Sequence, residues 1–326
     1  MNQVDLQKLQ GDIIQASAFI RPLKAEMSRI VAGQTKLIDR LIAAMLSDGH
    51  VLLEGLPGLA KTLAVKTLAQ SLDGAFSRIQ FTPDLLPADV VGTSIYNPAE
   101  HTFSVKKGPV FANIVLADEI NRASAKTQSA MLEIMEEKQV TVDSNTYKME
   151  RPFMVLATQN PIDQLGTYKL PEAQIDRFMI KISIGYPAYE DEVRVVLGVE
   201  EAKKQISYIA SKQDVIRLIE DAEKVTVSDL VAAYIVSLVS ATRNHSEIKL
   251  GSSPRGSIAL KRLSRAYALF CGRNYVTPDD VKLMAPYVLG HRVTLTNAAK
   301  NEGKSGPDVI GDILRDITVP VGANEV

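Results

Sequence analysis

Two runs of residues in this chain have the types and spacing to handle a nucleoside triphosphate. The first is Gly55-Leu56-Pro57-Gly58-Leu59-Ala60-Lys61-Thr62, set between the apolar Val51-Leu52-Leu53 and a helical stretch through Leu63, Ala64, Leu68 and Ala69. Glycine and proline shape a turn in which backbone N–H groups converge on phosphate oxygens, and the dipole of the following helix adds positive potential. Lys61 is spaced to reach the β- and γ-phosphates and Thr62 to offer its hydroxyl to Mg²⁺, so the candidate nucleotide contacts run from Gly55 to Leu63. Ala60 stands where the strict pattern has glycine, and helical φ and ψ tolerate it there.

The second run is Asn113-Ile114-Val115-Leu116-Ala117-Asp118-Glu119, apolar residues that end in two carboxylates. It predicts a strand buried on both faces of a parallel sheet, with the acids at the C-terminal end, where ligands bind in open α/β folds. Asp118 then belongs in the Mg²⁺ shell, and Glu119 activates water as general base. Phe153 to Thr158 predicts a similar strand, ending at Gln159-Asn160-Pro161. There Asn160 is either a polar sensor of the γ-phosphate and the attacking water or the start of an Asn-Pro turn. Arg177, ahead of the strand Phe178 to Ile182, faces away from its own phosphate loop; it reaches a neighbour's ATP, or it pairs locally with Asp176. Arg255 follows Ser253-Pro254 in the first turn of a helix, where a cation opposes the helix dipole. A phosphate contact explains that small cost, and an ordinary exposed arginine is the alternative.

These side chains need a sheet and a lid to hold them. After a helical lead-in over residues 2–48, strand-like segments recur at Phe76 to Phe81, Ile114 to Ala117, Phe153 to Thr158 and Phe178 to Ile182, separated by helical stretches. That alternation predicts an α/β fold, a parallel sheet with helices on both faces. Beyond Pro187 no comparable strand is expected, and helical periodicity holds over roughly 189–205, 212–224, 228–244, 256–272 and 278–290. Gly185-Tyr186-Pro187 interrupts both patterns and divides 1–186 from 187–326. Thr93 to Val105 and Gln139 to Glu150 read as β-hairpins turning at Asn97-Pro98-Ala99-Glu100 and Asp143-Ser144-Asn145. Between them Asn121 to Lys138 reads as a helix with Met131, Ile134 and Met135 on a core face, and residues 317–326 read as a frayed tail.

The chain's 326 residues suit two domains, and 37 basic against 38 acidic residues give no global pull toward nucleic acid or membrane. No apolar run approaches the ~18 residues of a membrane span and no leader precedes the first helix, which predicts a soluble, cytoplasmic protein. The one cysteine, Cys271, beside Leu269 and Phe270, is expected to be a core thiol. The four histidines lack ligand spacing, so no zinc site is expected.

Taken in order, Gly55 to Thr62, Asp118 to Arg122, Thr158 to Pro161, Leu170 to Phe178 and Ser253 to Arg255 resemble a MoxR-type AAA+ ATPase over nearly the whole chain. The most specific stretches are Ile79-Gln80-Phe81-Thr82-Pro83-Asp84-Leu85-Leu86-Pro87, Gly108-Pro109-Val110-Phe111-Ala112-Asn113 and Asp118-Glu119-Ile120-Asn121-Arg122. The resemblance implies an αβα P-loop core with two inserted hairpins, a C-terminal all-helical lid, and a ring, commonly a hexamer, with ATP and Mg²⁺ at each subunit interface. It implies that Lys61 and Thr62 bind phosphate and metal, that Asp118 and Glu119 run the Mg²⁺ and water chemistry, and that Asn160 is the first sensor. Arg177 would be the finger, Arg255 the second sensor, and Ile30-Val31-Ala32-Gly33-Gln34 would lie near the adenine, with Val31 and Gln34 as contacts. Lys169 stands where relatives often have proline, which bears on local loop shape. The implied work is chaperone-like remodelling or maturation of a client protein or metalloenzyme complex, among them clients that carry a von Willebrand factor A domain. A nucleic-acid-stimulated motor or a metal-chelatase-type motor subunit is the alternative. A nucleic-acid motor needs basic or aromatic groups at the hairpin tips, where Asn-Pro-Ala-Glu and Asp-Ser-Asn stand instead, with Lys106, Lys107 and Lys148 off the turns.

Overall fold

The computed structural model describes residues 3–31, 33–55, 61–143, 145–160, 168–186, 188–196 and 206–319. The expectations for Leu56, Pro57, Gly58, Leu59, Ala60, Ala32, Ser144, Pro161, Pro187, 197–205 and 320–326 lie outside the described residues. In chain order the elements are α1 (Gln3–Ile30), α2 (Thr35–Leu46), β1 (Val51–Glu54), α3 (Lys61–Ser71), β2 (Phe76–Gln80) and α4 (Pro87–Val91). There follow β3 (Gly92–Asn97), β4 (Thr102–Lys107), β5 (Ile114–Asp118), a 3₁₀ turn Ile120–Arg122, α5 (Ala125–Glu137), β6 (Gln139–Val142), β7 (Asn145–Lys148), β8 (Met154–Gln159), α6 (Glu172–Ile175) and β9 (Ile180–Ser183). The C-terminal part holds α7 (Tyr189–Val196), α8 (Lys212–Lys224), α9 (Asp229–Asn244), β10 (Ile248–Leu250), α10 (Pro254–Phe270), α11 (Pro278–Leu289), β11 (Thr294–Leu295), α12 (Asn297–Asn301) and α13 (Gly306–Asp316).

Five parallel strands form one sheet in the order β2-β5-β8-β1-β9. Successive side chains enter opposite cores: Leu53, Leu116, Leu156 and Ile182 point into one, and Leu52, Val115 and Val155 into the other. The inner strands β5, β8 and β1 are apolar until their last residues because both faces are dry, whereas the edge strands β2 and β9 carry polar residues. Helices α1, α2, α3 and the C-terminal helices cover the first face, while α5 and residues of the two hairpins cover the second. On α1 the buried stripe is Ile20, Leu23, Met27 and Ile30, at helical spacing.

The expected helix Asn121 to Lys138 divides into the 3₁₀ turn and α5, because Ser124 caps α5 by accepting the Thr127 N–H at 3.4 Å. Both hairpins form, β3 with β4 and β6 with β7. Among the described residues beyond 187 the fold is helical, as expected, with the addition of a two-stranded ribbon in which β10 pairs with β11. That pairing joins segments far apart in sequence, so no local pattern announces it. Helix α13 was not expected either, although Ser305 and Asp308 form a capping box ahead of the buried Val309, Ile310 and Ile313. Cys271 is exposed at the C-cap of α10. It lies about 200° around the helix axis from the buried Leu269, so its apolar neighbours misled.

His50, at the base of β1, ties the sheet to α5. Its Nδ1 accepts the Val155 N–H at 3.0 Å and its Nε2 donates to the Met135 carbonyl at 2.9 Å. Burial pushes its pKa down to about 4. The unfolded chain therefore takes up this proton first, and stability is lost as pH falls from about 6.5 through 4, by up to about 3 kcal/mol. Urea unfolding at pH 7 and pH 4.5 should show a loss about 2–3 kcal/mol larger in the wild type than in His50→Gln; parallel losses would remove His50 as the cause.

Candidate functional site

The C-terminal ends of β1, β8 and β5 converge, with Glu54 registered on Gln159 and Ala117 on Ala157. Gly55 leaves β1 with its N–H on the Gln159 carbonyl at 3.3 Å, and its own carbonyl accepts Lys61 Nζ at 2.6 Å. The lysine thus folds back over the start of the phosphate loop. Burial lowers its pKa, and the charges of Asp118 and Glu119 oppose that shift. Thr62 is exposed on the first turn of α3, Leu63 packs half-buried against the core, and Asn160 is half-buried just past β8.

One hydroxyl organises the two acids. Thr158 Oγ1 donates to Asp118 Oδ1 at 2.5 Å and accepts the Glu119 N–H at 2.8 Å. Glu119 has φ 56° and ψ 49°, a left-handed conformation that costs a non-glycine residue about 1 kcal/mol or more. The kink turns the chain from β5 into the 3₁₀ helix. Asp118 Oδ2 accepts Arg78 Nε at 3.1 Å and Nη2 at 2.7 Å, so this oxygen already engages a cation and fits a metal ion's place. Glu119 Oε2 accepts Gln80 Nε2 at 3.1 Å and lies 3.2 Å from Arg122 Nε. Arg78 Nη2 donates to Gln80 Oε1 at 2.8 Å, so the edge strand β2 clasps both acids.

Arg177 and Arg255 are not brought to this place. Met179 N donates to the His50 carbonyl at 2.8 Å, which puts Arg177 at the opposite, N-terminal end of the sheet. The four residues of β1 alone hold the two ends roughly 13 Å apart. Asp176 does not pair with Arg177; its carboxylate takes Arg292 Nε at 2.8 Å. The buried Arg292 also donates to the Phe178 carbonyl at 2.6 Å and the Met179 carbonyl at 3.1 Å, fastening the segment that carries Arg177. Arg177 and Arg255 both reach Glu136, at 2.5 and 2.8 Å, beside a cavity of about 250 Å³. The dipole penalty on Arg255 is offset by that carboxylate.

In the segment expected near the adenine, Val31 is buried in the core and Gln34 is half-buried at the N-cap of α2. Gly33 has φ +68°, and a Cβ there would sit 2.4 Å from Asp191 Oδ2, so α7 closes directly on this turn. Sequence reasoning missed Thr158, Arg78 and Gln80 as site residues, and it missed Glu136 as the partner of the two arginines. Arg78 and Gln80 did carry a signal: polar residues at i and i+2 share one side of a strand. Beside the first hairpin's turn, Tyr96 and Phe103 are exposed with ring centroids 5.1 Å apart, and Lys106 and Lys107 lie at its base.

A central strand running into a phosphate loop, a neighbour ending in a polar amide and the next ending in paired acids, with helices following the sheet, define a P-loop ATPase core of the AAA+ class with its lid. The family described as ATPase family associated with various cellular activities (AAA) matches residues 50–180, and the AAA lid domain matches residues 240–313. Chaperone MoxR1 of Mycobacterium tuberculosis is 45% identical over 90% of this chain and 81% of its own length. Protein YeaC of Bacillus subtilis, itself uncharacterized, is 45% identical over 99% of both chains. A crystal structure from Cytophaga hutchinsonii, put forward as an ATPase, superposes with TM-score 0.90 and 46% identity over 97% of this chain and 99% of its own. The chain belongs to the MoxR family of AAA+ ATPases. Among the described residues, no helix is long and apolar enough to cross a membrane.

Thr158→Val keeps the shape and removes the hydroxyl shared by Asp118 and Glu119. Urea unfolding should register a loss of about 1–3 kcal/mol, the cost of stranding buried polar partners. A loss near zero would mean that water replaces the hydroxyl and that Thr158 does not set the acids.

Proposed function

We propose that this chain hydrolyses ATP in a ring of identical subunits and uses the resulting rearrangement to remodel a client protein. The observation that carries the reading is the separation of the site into halves: Lys61, Asp118 and Glu119 at one end of the sheet, Arg177 and Arg255 at the other. Neither arginine reaches Lys61, Asp118 or Glu119 of its own subunit, so each serves a neighbour. Lys61 and the loop amides bind the phosphates. Asn160 orients the attacking water, and Glu119, released from Gln80 and Arg122, accepts its proton as the bond from the γ-phosphorus to the ADP oxygen breaks. The neighbour's Arg177 and Arg255 offset charge in the transition state, an effect worth ~10³–10⁵ in rate where arginine fingers act. Thr62 and Asp118 are the residues that would hold Mg²⁺, which neutralises charge on the β- and γ-phosphates.

Residues 1–186 serve in this reading as catalytic core and 187–326 as lid. The name of the Mycobacterium tuberculosis relative supports a chaperone-like role. A hexameric ring, a cytoplasmic location and a client with a von Willebrand factor A domain are further proposals that rest on family resemblance. One observation favours a second reading, a nucleic-acid-stimulated motor: the exposed Tyr96–Phe103 pair with Lys106 and Lys107 below it could stack bases and contact a backbone.

Glu119→Gln should keep ATP binding and abolish turnover, while Lys61→Ala weakens binding itself; unchanged turnover in Glu119→Gln would discard the base assignment. Arg177→Ala should be inactive alone and regain partial activity when mixed with Lys61→Ala subunits, because a mixed interface unites an intact loop with an intact arginine. Absence of recovery in rings shown to be mixed would argue against action across the interface. Single-stranded DNA should leave the rate unchanged, and strong stimulation would favour the motor.

A further inference from the structure

We propose that Glu136 is a resting-state latch: its carboxylate occupies the arginine pair in the place a neighbour's γ-phosphate would take, and must be displaced for the pair to act. This rests on the reading of Arg177 and Arg255 as residues that serve the neighbouring nucleotide. The geometry is specific. Oε2 of Glu136 lies 2.5 Å from Arg177 Nη1, and Oε1 lies 2.8 Å from Arg255 Nη2, so one carboxylate uses a separate oxygen for each guanidinium. Anionic oxygens held on two guanidiniums reproduce the contacts of a phosphate group.

Among the described residues, charge around the cavity leaves the pair no other partner of that sign. Of the three carboxylates lining it, Asp176 is taken by Arg292 and Asp48 by Lys138, so Glu136 alone serves two cations. The arginines stand on different pieces of the fold, Arg177 ahead of β9 and Arg255 in the first turn of α10, while Glu136 ends α5. The latch is therefore one tie between lid and core, beside the buried Arg292–Asp176 pair. Its side chains are 31% (Arg177), 33% (Glu136) and 60% (Arg255) exposed, and ion pairs so open to water are weak. A γ-phosphate, with more charge and three oxygens, displaces such a group. Until then only the unlatched fraction of subunits presents the arginines, which raises the ATP concentration needed in proportion.

The test uses the full chain. Glu136→Gln keeps the shape and removes the charge, and Glu137→Gln makes the same charge change one residue along. Glu136→Gln should lower the ATP concentration for half-maximal turnover by about two- to tenfold, the range two exposed ion pairs supply, with kcat within about twofold of wild type. Without nucleotide it should also speed amide hydrogen exchange over residues 254–258, and Glu137→Gln should do neither. A fall in kcat with half-saturation unmoved would make Glu136 part of the active arrangement and overturn the latch. Unchanged exchange over 254–258 would overturn it as well. Full turnover in both Arg177→Ala and Arg255→Ala would instead sink the finger reading, while the exchange measurement still reports on the latch itself.

Discussion

A strand buried on both faces has nowhere to place chemistry except its two ends. In β1, Val51, Leu52 and Leu53 are fully buried, so polar groups begin only at Glu54 on one side and at Asp48 and His50 on the other. The same holds for β5 and β8, whose dry runs stop at Asp118 and Gln159. The parallel sheet thereby sorts the chain's charged groups into a phosphate end and an arginine end that cannot touch. A hydrolytic site that needs both is complete only where one molecule's arginine end meets another's phosphate end. The assembly proposed above would then be a demand of the sheet itself.

The helix α5 links the two ends. It starts after the 3₁₀ turn that follows Glu119 and finishes at Glu136 and Glu137, a span of thirteen residues and about 20 Å. Met131, Leu132, Ile134 and Met135 bury its inner face, and His50 holds the Met135 carbonyl against the base of β1. A packed helix of this kind transmits a shift along its axis instead of absorbing it. Release of Glu119 from Gln80 and Arg122 would be felt at one end of α5, and the grip on Arg177 and Arg255 at the other.

Features that are contiguous in sequence were legible: the apolar strand with its terminal acids, both hairpins and the helices α8 to α11 each announce themselves within a short window. The unread residues depend on contacts made over long range. Arg78 meets Asp118 because β2 registers on β5 across a separation of 40 residues, and Thr158 meets both acids only through the pairing of β5 with β8. Glu136 looked like one more solvated acid on a helix, since its meaning comes from two arginines on separate segments. Asp176 and Arg177 are adjacent, yet Arg292 from beyond α11 outcompetes the local pairing by bringing a buried guanidinium with several carbonyl partners.

The junction between core and lid bears on where motion is stored. Buried residues of α8, α10 and α11 belong to the same apolar core as those of α1 and α2, without a polar layer between. Arg40 of α2 stacks on the Tyr287 ring of α11 at 4.3 Å, and Arg262 of α10 caps the end of α2 through the Ser47 carbonyl at 2.7 Å. Domains separated by a large apolar interface do not hinge freely, because opening it would expose that surface to water at roughly 25 cal/mol per Å². The contacts that ATP would change at modest cost in the proposed reading are therefore the exposed ones: Arg78 and Gln80 on the acids, and Glu136 on the arginines. Each lies at an end of the sheet, where one subunit would face the next, so in the proposed reading the work of hydrolysis would be directed into the angle between neighbours, not into opening of the subunit.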